Sequence, residues 1–138
     1  MIYDCVDIKR IIVENDEFEN GERKLLNFGH TLAHAIEKYY NFSGYSHGEA
    51  VAIGMVMITR ASEKNGLSEH GLCDKIISVC EKIGLPTECD ADMKTLLKIC
   101  LSDKKAHGNS IDLCIAKEIG SAFIYTLNTN KLEEFFGL

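Results

Sequence analysis

The sequence holds one proline, Pro86, no Cys-x-x-Cys pair, no Gly-x-Gly-x-x-Gly turn and no apolar run of bilayer length. Each absence excludes something. The six cysteines (Cys5, Cys73, Cys80, Cys89, Cys100, Cys114) have no zinc-knuckle spacing. Five of them fall in apolar helical or strand-like contexts and read as reduced core residues of a cytoplasmic protein. The longest apolar segment, residues 50–58, is roughly half of the ~20 residues a membrane span needs, and no signal-peptide pattern is present. A membrane is therefore not an expected partner. With no glycine-rich phosphate loop after a strand and no alternation of strands with helices, the chain offers no recognisable dinucleotide site. An excess of positive charge is missing as well. The net charge of −6 argues against nucleic acid as a partner, and any anionic ligand must be held by a local cluster of Lys, Arg and His.

What is present suits one soluble globular domain. At 138 residues, with 46% hydrophobic and 26% charged residues, the chain is large enough to bury about two-thirds of its unfolded surface. The patterning predicts a mainly α fold, a helical array with a small C-terminal β-hairpin. Helices are expected over residues 1–13 (carrying Lys9), 22–40, 47–65, 68–82 and 91–105, with Pro86 at the boundary between the last two. Residues 14–21 form an acidic loop that reads mostly as solvated surface. Residues 110–116 alternate Ile111, Leu113 and Ile115 against Asp112, Cys114 and Ala116, the period of a half-buried strand. A turn at 118–120 leads to a partner strand over 122–127. Asn128 caps a short closing helix over 131–136. There is no internal repeat or low-complexity segment.

The most informative stretch is residues 19–37. If residues 22–40 form one α-helix at about 100° per residue, with Arg23 at zero, then Asn27 falls near about +40°, His30 −20°, His34 +20° and Glu37 −40°. A cation, an amide, two imidazoles and a carboxylate would then share one narrow stripe. Its flanks, Leu25, Leu26, Phe28, Leu32, Ala33 and Ile36, are apolar. Such a helix reads as the wall of a cleft. The plain alternative is a set of surface charges and structural histidines, and it fits poorly with two His at i, i+4 below an Asn and an Arg. Gly29 inside the helix costs about 1 kcal/mol relative to Ala and signals close approach of a backbone or a ligand. His30 and His34 alone suggest an i, i+4 metal chelate, but the zinc-protease pattern needs Glu after the first His, and Thr31 stands there.

The same residues carry a resemblance. Glu19-x-Gly21-x-Arg23-x-x-Leu26-Asn27-x-Gly29-His30-Thr31-x-x-His34-Ala35-x-Glu37, followed by His47-Gly48-Glu49-Ala50-Val51-Ala52-x-Gly54-Met55, resembles the signature of 3-dehydroquinate synthase. Lys9 in its Ile-Lys-Arg-Ile-Ile-Val context, Gly84-Leu85-Pro86-Thr87 and Asp103-Lys104-Lys105 are similar to the family too. Ala33 stands where Gly is usual, a small-for-small change. The match runs over essentially the whole chain.

The resemblance implies a fold and a division of labour. The family joins an N-terminal NAD-binding α/β domain to a mostly helical C-terminal domain, and this chain resembles only the latter, without the NAD site. It implies a divalent metal, zinc or cobalt, bound by His30 and His47, with a third ligand, a Glu, from the preceding segment. His34 and Glu19 are implied as the catalytic groups that organise hydroxyls and move protons. Lys9, Arg23, Asn27 and Lys105 are implied to bind an anionic sugar-phosphate substrate, Lys105 being preferred over Lys104 on the motif alone. Glu37 and Glu49 are expected to hold the ligating imidazoles, and His70 and His107 to lie on the surface.

As a whole, the family converts 3-deoxy-arabino-heptulosonate 7-phosphate to 3-dehydroquinate and phosphate in the shikimate pathway. NAD transiently oxidises a ring hydroxyl, phosphate is eliminated, the hydride returns, and an intramolecular aldol closes the ring. The family is commonly dimeric, which implies a homodimer for the full-length enzyme. This chain is expected to bind zinc weakly or through a substitute ligand, since catalytic zinc normally keeps three protein ligands. It is also expected to fold without turning over. Two alternatives stand beside this reading: another sugar-phosphate cyclase such as 2-deoxy-scyllo-inosose synthase, or a non-catalytic helical module.

Overall fold

A computed structural model describes residues 2–18, 21–104 and 109–138, and for residues 103 and 104 the backbone alone. Six α-helices and one hairpin follow in order: α1 (Ile2–Asn15), α2 (His30–Tyr39), α3 (His47–Lys64), α4 (Leu72–Lys82), α5 (Met93–Lys104), β1 (Ser110–Glu118), β2 (Ser121–Asn128) and α6 (Leu132–Phe135). Two short 3-10 helices, Glu22–Asn27 and Thr129–Lys131, complete the path. Among the described residues, no helix is long and apolar enough to cross a membrane.

The core forms where α2, α3, α5 and the hairpin meet. Leu32, Ile36, Ile53, Leu96, Leu97, Ile111, Leu113, Ile115, Leu132 and Phe135 are buried there in one cluster. A second cluster, Ala52, Val56, Leu72, Cys73, Ile76 and Cys80, fastens α4 to the other side of α3. The contact between α2 and α3 is unusually close because two glycines face each other. Gly29 takes a left-handed φ of +80°, and a Cβ placed on it would lie 2.8 Å from the Val51 carbonyl oxygen. A Cβ on Gly54 would overlap the Gly29 carbonyl. The close approach read from Gly29 is thus made by the backbone of α3.

The stripe helix expected over 22–40 is a correction. Residues 22–27 wind as a 3-10 helix, Phe28 is extended (φ −57°, ψ 121°), and α2 starts only at His30. The acidic loop helps to set this path. Asp16 accepts from the backbone N–H of Gly21 (2.8 Å) and of Arg23 (3.1 Å), so it anchors the 3-10 helix and is more than solvated surface. Helix α4 begins at Leu72, later than expected. Ser68 Oγ donates to the Ala116 carbonyl (2.7 Å), Glu69 N–H donates to the Lys117 carbonyl (2.8 Å), and Gly71 is left-handed. The segment before α4 is therefore held to the end of β1.

The hairpin matches its expectation. Ile111, Leu113 and Ile115 pair with Leu127, Tyr125 and Phe123, and a bulge near Lys117 precedes the turn at Gly120. Cys114, expected on the open face, is nevertheless buried, and its Sγ donates to the Leu25 carbonyl (3.3 Å). The 3-10 helix covers that face. Helix α1 has no buried residue and exposes Ile2, Tyr3, Val6, Ile8 and Ile11.

Candidate functional site

The site is built on the facing ends of α2 and α3. Helix α2 carries His30, His34 and Glu37 on one face, since three- and four-residue steps bring side chains together. His47 is the first residue of α3, and its position is fixed by a capping box. Glu49 N–H donates to Ser46 Oγ, and the Ser46 N–H donates to Glu49 Oε2 (2.7 Å). These bonds to Ser46 hold the Glu49 carboxyl below its usual range. Glu49 therefore caps the helix and does not reach an imidazole, which corrects one expectation. The signal was legible as Ser-x-x-Glu before an apolar run.

The three imidazoles converge. Ring centroids lie 5.1 Å apart for His30 and His47, 6.0 Å for His30 and His34, and 6.1 Å for His34 and His47. Imidazoles bound to one tetrahedral ion through nitrogens at about 2.0–2.1 Å have centroids roughly 5 Å apart, so the cluster is close to that spacing. His30 Nδ1 lies 3.2 Å from the Phe28 carbonyl, which can only accept, so Nδ1 carries the proton and Nε2 keeps its lone pair. His47 Nδ1 lies 3.0 Å from Glu37 Oε1. Glu37 thus holds an imidazole, as expected. Burial, and then the neighbouring His47 and His34, push the His30 imidazolium below its usual range, against the Phe28 carbonyl and Glu37. A neutral imidazole is the form that binds a metal. The donor set fits a divalent transition ion.

Beside the histidines opens a cleft of about 510 Å³, lined by Lys24, Asn27, His30, Thr31, His34, Ala35, Cys100, Asp112, Cys114 and Ile124. Of the residues singled out in sequence, Asn27, His30 and His34 line it. Arg23 does not: its guanidinium Nη1 donates to the Glu17 carbonyl (2.6 Å). Lys9 is exposed on α1, away from the cleft lining. Glu19, Lys105, His107 and the side chain of Lys104 lie outside the described residues. His70 is exposed, as expected.

The cation that does line the cleft is Lys24, which the motif passed over. Its Nζ pairs with Asp112 Oδ2 (2.7 Å), and Thr126 Oγ1 donates to the other carboxylate oxygen (2.7 Å). The winding explains the exchange. In a 3-10 helix residues i and i+3 eclipse, so Lys24 shares the face of Asn27 and Arg23 is turned about a third of a circle away.

Solved structures share this fold. The crystal structure of 2-deoxy-scyllo-inosose synthase complexed with carbaglucose-6-phosphate, NAD+ and Co2+ superposes on 96% of this chain and 39% of its own length, with a TM-score of 0.79 and 19% identity. The 2-epi-5-epi-valiolone synthase of Streptomyces hygroscopicus subsp. jinggangensis, with NAD+ and Zn2+ bound, does so over 90% and 35% (TM-score 0.73, 20% identity). At these identities the likeness concerns the fold.

Sequence comparison is more specific. The model of the 3-dehydroquinate synthase C-terminal family matches residues 1–106, and the chain belongs to that family. It is 46% identical over 136 residues to the 3-dehydroquinate synthase of Streptococcus sanguinis and 45% identical over 137 residues to that of Clostridium perfringens (strain SM101). These alignments cover 98% and 99% of this chain and 38% of each relative. The chain therefore spans 38% of the length of the relatives it matches.

Proposed function

We propose that this chain is the single-domain, metal- and substrate-binding half of a 3-dehydroquinate synthase, the phosphate-eliminating lyase that closes the carbocycle of the shikimate pathway. One observation carries the reading: three imidazoles from α2 and α3 gather at the mouth of a cleft lined by an amide and a lysine. Relatives at about 45% identity over the whole chain bear that enzyme's name, which favours it over 2-deoxy-scyllo-inosose synthase, similar at 19%. No observation favours a non-catalytic module.

In this reading His30 and His47 hold a divalent ion, zinc or cobalt, together with a carboxylate from the rest of the enzyme. The ion, when bound, supplies Lewis-acid polarisation and orients adjacent hydroxyls. NAD, bound by a domain beyond this chain, supplies the redox chemistry.

This chain's own residues bind and orient the substrate. Asn27 donates to a hydroxyl or anionic oxygen in the cleft. His34 stands 6.0 Å (ring to ring) from His30 and serves as the proton-handling group. Glu37 fixes the ring orientation of His47. Lys9 and Arg23 approach the phosphate and carboxylate ends by resemblance, from outside the cleft wall described above. Glu19 and Lys105 are proposed from sequence alone. The same reading carries a cytoplasmic homodimer as the complete enzyme.

The test is genetic. A chimera of this chain with the N-terminal part of the Streptococcus sanguinis relative should restore growth without aromatic amino acids to a bacterium lacking its dehydroquinate synthase. This chain alone should not restore it. Growth restored by the chain alone, or failure of a folded chimera that binds NAD, would contradict the reading.

A further inference from the structure

The family signature leaves Lys24 and Asp112 unassigned, yet their ion pair forms part of the cleft wall. Lys24 belongs to the 3-10 helix Glu22–Asn27 and Asp112 to β1, so the pair joins two elements that meet only through the fold. Their side chains are 35% and 37% exposed, within reach of a ligand in the cleft.

The pair is braced from one side. Lys24 Nζ donates to Asp112 Oδ2 (2.7 Å), and Thr126 Oγ1 donates to Asp112 Oδ1 (2.7 Å). Thr126 does not line the cleft; it lines a second hollow of about 430 Å³, which Lys24, Asp112 and Ile124 also border. The ion pair is thus a partition between the two spaces. Its brace lies on the outer side, and Asn27, His30 and His34 lie on the inner one.

Charge decides what such a wall recognises. Ammonium and carboxylate cancel, so a phosphate drawn to Lys24 also meets the repulsion of Asp112. A hydroxyl suits both groups, since it accepts from the ammonium and donates to the carboxylate. An ammonium donates in three directions and a carboxylate accepts about four hydrogen bonds, so hydroxyls can join the pair without breaking it. Asn27 shares the face of Lys24 on the 3-10 helix and offers a donor and an acceptor together. A carbon chain with hydroxyls on adjacent carbons matches this row of groups.

We propose that Lys24 and Asp112 are substrate-contacting residues that recognise adjacent hydroxyls of a polyhydroxy phosphate ester. The assignment deepens the reading above and rests on it for the class of ligand. It also sets the ligand's direction, with hydroxylated carbons against Lys24, Asp112 and Asn27 and the phosphate turned away from Asp112.

The experiment compares two six-carbon phosphates that differ in their hydroxyls, sorbitol 6-phosphate and hexyl phosphate. Each is titrated into the isotope-labelled native chain and into Lys24→Met and Asp112→Asn, with backbone spectra confirming that the variants fold. Sorbitol 6-phosphate should shift the Lys24 ammonium and the Asp112 carboxyl carbon, and hexyl phosphate should leave both unmoved. Each variant should bind sorbitol 6-phosphate about tenfold more weakly and hexyl phosphate within about twofold of the native chain. That change of preference separates a contact from a strap that only ties the 3-10 helix to β1, because losing a strap weakens both ligands alike. Parallel losses for the two ligands, equal shifts from hexyl phosphate, or no saturable binding of sorbitol 6-phosphate would each overturn the proposal. Phosphate release by the chimera tests the reading above separately. Release with Lys24 and Asp112 silent removes this proposal alone, and shifts at both residues without release remove the reading alone.

Discussion

His30 shows how one side chain can link stability to function. It is partly buried, its Nδ1 is spent on a backbone carbonyl, and two further imidazoles crowd it, so the charged form is disfavoured. A folded value below the ordinary one means that the unfolded chain binds more protons. Stability therefore rises with pH across the window between the lowered value and the ordinary 6.5, and falls on acidification through it. Urea unfolding at about pH 5 and pH 7 should show a smaller loss of stability on acidification for His30→Gln than for the native chain. An equal or larger loss in the variant would contradict this origin.

The cysteines give a second prediction at this scale. Burial pushes the Cys114 thiol up to about 11, and raises those of Cys73, Cys80 and Cys89. Only Cys5 is exposed. Mass spectrometry after brief alkylation of the folded chain at about pH 8 should find Cys5 modified first and Cys114 only after unfolding. The histidines and Asn27 were legible as single residues because His30, His34 and Glu37 are spaced for one helical face. Lys24 was not, because Arg23 carries the motif and the choice between neighbours depends on a 3-10 winding that no spacing rule announced.

Among the elements, the pairing of α2 with α3 governs the site, and the Gly29–Gly54 contact governs that pairing. Gly54→Ala places a methyl against the Gly29 carbonyl, backbone against backbone, with no side chain able to yield. Overpacking of this kind costs about 1–3 kcal/mol, and spreading the helices also parts His30 from His47. Thermal unfolding should fall by several degrees, and zinc affinity should fall with it. Unchanged stability would mean that the two backbones are not in contact.

Helices and hairpin were readable from apolar periodicity, but Asn128, expected to cap the closing helix, caps the 3-10 helix Thr129–Lys131 that precedes it. The break at Phe28 and Gly29 was not readable. A glycine in a helical pattern looks like a tolerated interruption, and its left-handed φ is dictated by α3, twenty-odd residues away in sequence. The burial of Cys114 was hidden for a similar reason, since the second face of β1 is covered by the 3-10 helix, a long-range neighbour.

For the whole molecule, a cleft beside three clustered imidazoles goes with a family identity established over residues 1–106. The chain spans 38% of its relatives, and it has no recognisable dinucleotide turn. The central claim is that these residues supply metal and substrate contacts to a reaction completed by a cofactor domain. Its most direct test is phosphate release from 3-deoxy-arabino-heptulosonate 7-phosphate, with NAD and zinc, by the chain joined to a relative's N-terminal part. The account predicts steady release by the joined protein, loss of about a hundredfold or more in His47→Ala, and none from the chain alone. Release by the chain alone, or a joined protein indifferent to His47→Ala, would contradict it.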